Sequence, residues 1–161
     1  MGEPGLGKTH LAVSLIKELL LQHGVECKFV DFFELLREIR HGYGEDVSEG
    51  EFMDPYVGVK VLVIDELAKG RNTDWELTIL DHFISARYND DDKVTLVTTN
   101  FKDKLDNGIN KEDRDSKRGG LSNASTRETL EERIGSRIFS RLMEMCKKVT
   151  LQGKDFRQEQ V

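Results

Sequence analysis

The sequence predicts an α/β fold, a three-layer sandwich in which helices cover both faces of a parallel sheet. Three observations carry that reading. Short β-branched or aromatic segments alternate with amphipathic helical segments along most of the 161 residues, the pattern of parallel strands joined by right-handed crossovers. Val59-Lys60-Val61-Leu62-Val63-Ile64 is almost continuously apolar and β-branched, as a central parallel strand covered on both faces must be. Residues 2 to 9 read Gly2-Glu3-Pro4-Gly5-Leu6-Gly7-Lys8-Thr9, a complete G-x-x-x-x-G-K-[ST] phosphate-binding loop (P-loop), which in such a fold joins a buried strand to a helix.

The loop comes first in the chain. Its glycines let backbone N–H groups turn inward around a phosphate, Lys8 reaches the β- and γ-phosphates, and the Thr9 hydroxyl is placed to ligate Mg²⁺. Gly2, Glu3, Pro4, Gly5, Leu6, Gly7, Lys8, Thr9 and His10 are therefore the expected nucleotide-binding residues, with ATP and Mg²⁺ as the ligands. Only Met1 precedes them, so the first strand, which aims the loop, is expected to be missing and the chain reads as N-terminally truncated. From Lys8 to about His23 the stripes Leu11, Leu15, Leu19 and Ala12, Ile16, Leu20 predict a helix packed on the sheet, ended by Gly24. Its positive dipole end falls on the phosphates.

Lys28-Phe29-Val30-Asp31-Phe32 reads as a strand, and Glu34 to Arg40 returns to helical spacing. Residues 42 to 55 hold glycines, acids and a proline with little periodicity, which predicts a loop with room for a short helix. The apolar strand at 59–64 follows and ends on Asp65-Glu66, so two carboxylates stand at its C-terminal edge. Asp74 to Tyr88 is expected to be helical, with Leu77, Leu80, Phe83 and Ile84 as its apolar side. Val94 to Thr99 forms the next buried strand and ends at Asn100. Thr126 to Cys146 reads as one long helix with Leu130, Ile134, Ile138 and Leu142 at four-residue intervals, and Val149-Thr150-Leu151 as a closing strand. Residues 102 to 118 hold eleven charged side chains with only Leu105 and Ile109 apolar, too few to support a core of their own.

Length fits a single domain over residues 1–161. The net charge of −6 argues against a chain that coats nucleic acid by bulk charge. Cys27 and Cys146 form no C-x-x-C pair, so buried thiols in an intracellular, cytoplasmic protein are expected rather than a disulfide framework or zinc site. No apolar run reaches 18 residues, so neither a membrane span nor a membrane partner is expected.

In a parallel sheet of this kind ligands bind at the carboxyl ends of the strands, which gathers Lys8, Asp65, Glu66 and Asn100 at one site. Asp65 suits Mg²⁺ coordination through a water, and Glu66 suits orienting or deprotonating the attacking water. Asn100, a neutral donor and acceptor, suits contact with the γ-phosphate, or alternatively forms a turn. Arg137 and Arg141 lie four apart on one helical face, and spacing leaves two readings open. They reach a neighbouring subunit's γ-phosphate, or they are solvated ion-pair partners. Trp75 similarly either packs under the sheet or faces a partner.

Gly2 to Ala12, Val61 to Leu67, Thr98-Thr99-Asn100 and Ile134-Gly135-Ser136-Arg137-Ile138-Phe139-Ser140-Arg141-Leu142 together resemble the AAA+ ATPases of the DnaC/IstB-like helicase-loader family. The resemblance spans nearly the whole chain. It implies a P-loop NTPase core of AAA+ type without a separate C-terminal lid domain. In it Gly5, Gly7, Lys8 and Thr9 match Walker A, Asp65 and Glu66 match Walker B, and Asn100 matches sensor 1. Arg141 matches the arginine finger supplied in trans, and Arg137 the adjoining basic position. Gly153-Lys154-Asp155-Phe156-Arg157 resembles the family's closing Gly-x-x-Tyr/Phe-Arg pattern, and Arg87-Tyr88 also resembles the loaders. In the AAA+ sheet order the missing strand would sit between the strand leading to Asn100 and the final strand. The resemblance implies ATP binding and hydrolysis, head-to-tail self-assembly, and engagement of single-stranded DNA and a replicative helicase in DNA replication. An IstB-type transposition helper acting on double-stranded DNA, or a non-catalytic truncated remnant, are the alternatives. Lys102, Lys104, Lys111, Arg114, Lys117 and Arg118 could touch DNA phosphates, but interleaved acids cancel most of their field and no aromatic platform accompanies them, which favours a solvated loop.

Overall fold

A computed structural model describes residues 1–42, 48–103 and 128–157. In chain order the elements are α1 (Lys8–His23), β1 (Cys27–Asp31), α2 (Phe32–Gly42), α3 (Glu49–Val57), β2 (Val61–Asp65), α4 (Asp74–Tyr88), β3 (Val94–Val97), α5 (Leu130–Ile134) and α6 (Ser136–Met145). The three strands form one parallel sheet in the order β1-β2-β3, with Val63 opposite both Phe29 and Leu96. Every residue of β2 is buried, as its unbroken apolar run requires. Leu62 and Ile64 join the core with Leu35, Ile39, Leu80, Phe83, Ile138 and Leu142 from the helices. Strand alternation turns Val61 and Val63 to the other face, where α1 runs against β1. The result is helix, sheet and helix in three layers.

Local signals fix the element ends. Gly24, with φ 61°, closes α1 and donates its N–H to the Leu19 carbonyl. Ser48 with Glu51, Thr73 with Glu76, and Thr129 with Glu132 each form a reciprocal capping box at the start of α3, α4 and α5. At the N-terminal end of the sheet, far from the carboxyl edge, Arg87 is 1% exposed. Its guanidinium donates to the carbonyls of Tyr56, Val57, Val59, Lys60 and Val94 and to Thr95 Oγ1, tying the exit of α3 to the entries of β2 and β3.

Three expectations change and one sharpens. Of the long helix expected from Thr126 to Cys146, residues 126 and 127 lie outside the described residues and the rest forms two helices, because Gly135 adopts φ 82° and ψ 151° and breaks the ladder. The four-residue stripe survives the break, with Leu130, Ile134, Ile138 and Leu142 all buried. The short helix for which residues 42–55 left room is nine residues long, Glu49–Val57, started by the Ser48 capping box and running past residue 55, while residues 43–47 lie outside the described residues. Val149-Thr150-Leu151 does not join the sheet. Among the described residues it bonds to Met1, whose amino group donates to the Val149 carbonyl at 2.8 Å and whose carbonyl accepts from the Leu151 N–H at 2.9 Å. Finally, Leu11 and Leu15 of α1, expected to be buried, are 57% and 41% exposed. They line an apolar slot of about 470 Å³ between β3 and Val149–Leu151, where the resemblance leads one to expect the missing strand. Trp75 is half-buried against the core, with the Arg40 guanidinium 4.7 Å above its ring. Of the charged stretch at 102–118, only Lys102 and Asp103 fall among the described residues. Lys104, Lys111, Arg114, Lys117 and Arg118 lie outside them.

Candidate functional site

The phosphate loop stands at the carboxyl edge of the sheet. Gly5 and Gly7 take φ values of 85° and 75°, conformations that a side chain disfavours. Gly5 is also buried against the closing segment, where a Cβ would collide with the Asp155 carboxylate. The first bond of α1, from Leu11 N–H to the Gly7 carbonyl at 2.9 Å, starts the helix directly after the loop. Lys8 Nζ donates to the carbonyls of Gly2 and Glu3, each at 2.7 Å, and so holds the loop closed around its own ammonium. Burial pushes the Lys8 ammonium below the usual lysine range, while the nearby Asp65 and Glu66 carboxylates oppose that fall.

Thr9, the second residue of α1, donates its hydroxyl to Asp65 at 2.9 Å to Oδ2 and 3.1 Å to Oδ1. Asp65 is buried at the last position of β2. A second hydroxyl, from Thr98, reaches the same carboxylate, donating to Oδ1 at 2.5 Å. Thr98 Oγ1 also accepts from the Glu66 N–H at 3.0 Å. Glu66 sits at φ 53°, a left-handed turn that ends β2 abruptly and throws its carboxylate toward the loop. That carboxylate pairs with Lys69, whose ammonium is raised above its ordinary value chiefly by this hydrogen bond. The turn is laced to the exit of β3: Leu67 N–H donates to the Thr98 carbonyl at 2.8 Å, and Thr99 Oγ1 to the Leu67 carbonyl at 3.0 Å.

Lys8, Thr9, Glu66, Thr98 and Thr99 face one cavity of about 770 Å³, within the range of small-molecule sites, with Asp65 buried behind Thr9 and Thr98. Pro4, Gly5, Leu6, Gly7, Lys8, Thr9 and His10 line one side, and Glu66 and Thr98 to Asn100 the other. Gly2 and Glu3 meet it through the carbonyls that hold Lys8. Thr9 and Asp65 supply adjacent hard oxygen donors, a set that suits Mg²⁺ shared with phosphate oxygens. Among the described residues no cluster of three or more His, Cys, Asp or Glu side chains could hold a metal by itself.

Two further groups at the cavity had no role assigned from sequence. Phe156 and Arg157 line it from the C-terminal segment, which is fastened over the loop by Phe156 N–H donating to the Gly5 carbonyl at 3.2 Å. Arg157 is near enough to Lys8 to disfavour its charge. The Gly153-to-Arg157 pattern was the available signal for this segment. Thr98 carried no signal of its own.

Arg137 and Arg141 line another face and not this cavity. Both converge on Asp81 of α4, Arg141 Nη1 at 3.0 Å from Oδ1 and Arg137 Nη2 at 3.5 Å from Oδ2. Arg141 also donates to Ser85 and lies over the Tyr88 ring, 5.8 Å from its centroid. Within this chain the ion-pair arrangement is the one observed. Cys27 and Cys146 are free thiols. Among the described residues no helix is long and apolar enough to cross a membrane.

Residues 1–105 match the protein family described as IstB-like ATP binding protein. The chain is 30% identical over 93 residues to the uncharacterized protein YqaM of Bacillus subtilis, covering 55% of this chain and 29% of that protein. It is 28% identical over 87 residues to the replicative helicase loader DnaC of Escherichia coli, covering 53% of this chain and 35% of that protein. The chain thus spans about a third of the length of these relatives. A crystal structure of the DnaC helicase loader superposes with a TM-score of 0.70 at 28% identity, covering 94% of this chain and 75% of the other. Domain III of the Thermotoga maritima replication initiation protein DnaA shares the fold, with a TM-score of 0.68 at 19% identity over 96% of this chain and 53% of that one.

Proposed function

The chain belongs to the family of IstB-like ATP-binding proteins, and from that premise we propose that it is the ATP-binding and hydrolysing AAA+ module of a DnaC-like replicative helicase loader. The observation that carries the reading is the convergence of Lys8, Thr9, Glu66 and Asn100 on one cavity, with the buried Asp65 in hydrogen-bond contact with Thr9 at its wall.

The triphosphate enters along the loop and takes the Lys8 ammonium in place of the Gly2 and Glu3 carbonyls. The dipole of α1 and the loop N–H groups add to its binding. Thr9 and Asp65 would hold Mg²⁺, which when bound would neutralise charge on the β- and γ-phosphates. Glu66 exchanges Lys69 for a water molecule and takes its proton as the water oxygen attacks the γ-phosphorus. The bond from that phosphorus to the β–γ bridging oxygen breaks, leaving ADP and phosphate. Asn100 donates its amide to the γ-phosphate, and Arg157 adds positive charge from the closing segment. Arg141, with Arg137 beside it, serves the neighbouring subunit's site in a head-to-tail assembly, so hydrolysis depends on protein concentration. Single-stranded DNA and a replicative helicase are the proposed partners. The alternative, an IstB-type transposition helper loading on double-stranded DNA, is separated by comparing affinity for the two DNA forms.

The test is a Mg-ATP titration by calorimetry with Lys8→Ala as control and folding checked by circular dichroism. Saturable binding that is lost in Lys8→Ala is expected. A folded chain that ignores ATP would leave the non-catalytic remnant as the answer.

A further inference from the structure

Thr98 lies one residue beyond β3 and is 5% exposed. Its main chain is fixed from both sides, the N–H donating to the Ile64 carbonyl at 3.0 Å and the carbonyl accepting from Leu67 N–H at 2.8 Å. Its hydroxyl therefore has a defined position, and a β-branched side chain has little rotamer freedom to lose it. A hydroxyl owns one proton. Here that proton goes to Asp65 Oδ1 at 2.5 Å, which turns the oxygen's lone pairs toward the Glu66 N–H at 3.0 Å. The two bonds run in opposite senses and fix two neighbouring residues at once.

Both neighbours need fixing. Asp65 receives Thr98 and Thr9 on Oδ1 and Thr9 on Oδ2, so the two hydroxyls together set the plane of its carboxylate. Glu66 occupies a left-handed conformation that a side-chain-bearing residue disfavours, and its N–H bond to Thr98 holds it there. Among the described residues Thr98 Oγ1 is the acceptor of the Glu66 N–H, at the turn from which the Glu66 carboxylate departs.

We propose that Thr98 is a positioning residue for Mg²⁺-nucleotide chemistry at this site, its single buried hydroxyl aligning the metal-holding Asp65 and the main chain of the water-activating Glu66. This rests on the proposed ATP reading of the cavity. In this role Thr98 acts through the two residues it holds.

Thr98→Val removes the hydroxyl at nearly constant shape, and Thr98→Ser restores it. Binding of a fluorescent ATP analogue is measured in EDTA and across a Mg²⁺ titration, and amide exchange is followed by NMR on nucleotide-free protein. Thr98→Val should bind the analogue in EDTA to within about twofold of wild type, yet need about tenfold more Mg²⁺ for half-maximal tightening, the cost of one bond to a charged group. Its Glu66 amide should exchange at least about tenfold faster than in wild type, as expected when that amide loses its acceptor. Thr98→Ser should stay close to wild type on both readouts. An unchanged Mg²⁺ midpoint in Thr98→Val, or a Thr98→Ser variant as impaired as Thr98→Val, overturns the inference. If wild type binds no nucleotide the functional reading fails, and the Glu66 exchange rates still decide the Thr98 geometry. If Thr98→Val does not fold, an unprotected Glu66 amide in wild type or in Thr98→Ser overturns it.

Discussion

Replacing Arg87 by alanine tests the structural frame that aims the candidate site. Four of its six hydrogen bonds are 3.0 Å or shorter, to Val57, Val59 and Val94 carbonyls and to Thr95 Oγ1. Removing the guanidinium leaves these acceptors in a site too enclosed to rehydrate freely, at about 1 kcal/mol each. Burial also lowers the Arg87 pKa, so the charge carries a desolvation cost that the substitution relieves. The loss of the packed aliphatic stem is of similar size and opposite sign, leaving a net destabilisation of about 4 kcal/mol. For a chain of this length that corresponds to a fall in Tm of about 8–16 °C. Urea and thermal denaturation of wild type, Arg87→Ala and Arg87→Lys measure it. Lysine has three donors on one atom and no planar fork, so Arg87→Lys should recover less than about half of the loss. A destabilisation below about 1 kcal/mol, or full recovery by lysine, would refute the argument that this arginine staples α3 to the strand entries.

Glu66→Gln keeps the shape of the side chain but removes the base, so it should bind Mg-ATP near normally and hydrolyse it at least about 100-fold more slowly, measured as phosphate release. Asp81→Asn frees Arg141 and Arg137 from their shared carboxylate; assembly-dependent hydrolysis should then appear at lower protein concentration, whereas Arg141→Ala should remove the concentration dependence. Equal concentration curves for all three proteins would separate these arginines from the reaction. The lowered pKa of Lys8 gives a pH effect with a defined sign. Between its folded pKa and the unfolded value of about 10.4 the unfolded chain binds more protons, so stability rises with pH across that window. Wild type should accordingly gain on Lys8→Met in urea midpoint as pH climbs from 7 toward about 10.4, and a constant or widening deficit would contradict the burial of Lys8.

What the sequence makes legible is what depends on short spacing. The glycines and Lys8-Thr9 lie within eight residues, and the run ending in Asp65-Glu66 declares both a central strand and the carboxylates at its edge. The three capping boxes were equally local, and the Ser48-to-Glu51 spacing was the signal for α3 inside a stretch whose glycines and acids suggest loop. Gly135 breaks a helix whose four-residue stripe continues unbroken on either side, so hydrophobic period alone cannot reveal the division. Pairings over long separations leave no local trace. Thr98 and Asp65 are 33 residues apart, and Arg141 and Asp81 are 60 apart, yet each pair is set by how elements pack. The exposure of Leu11 and Leu15 shows the same limit in reverse: an amphipathic stripe says that a helix has a face to bury, and the neighbouring strands decide whether it is covered.

The slot beside β3 turns that last point into a prediction. Met1 already bonds to Val149 and Leu151 in the manner of a parallel strand, so residues placed ahead of it would run along the slot with the register set. Five added β-branched residues would contribute about 2 kcal/mol each through burial, against about 2 kcal/mol each for ordering them, and these roughly cancel. The net gain then comes from what they cover. Leu11, Leu15, Val94 and Val149 are between 41% and 58% exposed, and burying the remainder contributes about 1 kcal/mol apiece. An extension such as Val-Ile-Val-Ile-Val before Met1 should therefore stabilise the chain by about 4 kcal/mol, or about 8–16 °C in Tm. A Gly/Ser extension of equal length supplies no apolar cover and should add nothing. If the two extensions gave the same midpoint, the exposed stripe of α1 and the open side of β3 would not be the two walls of one strand site.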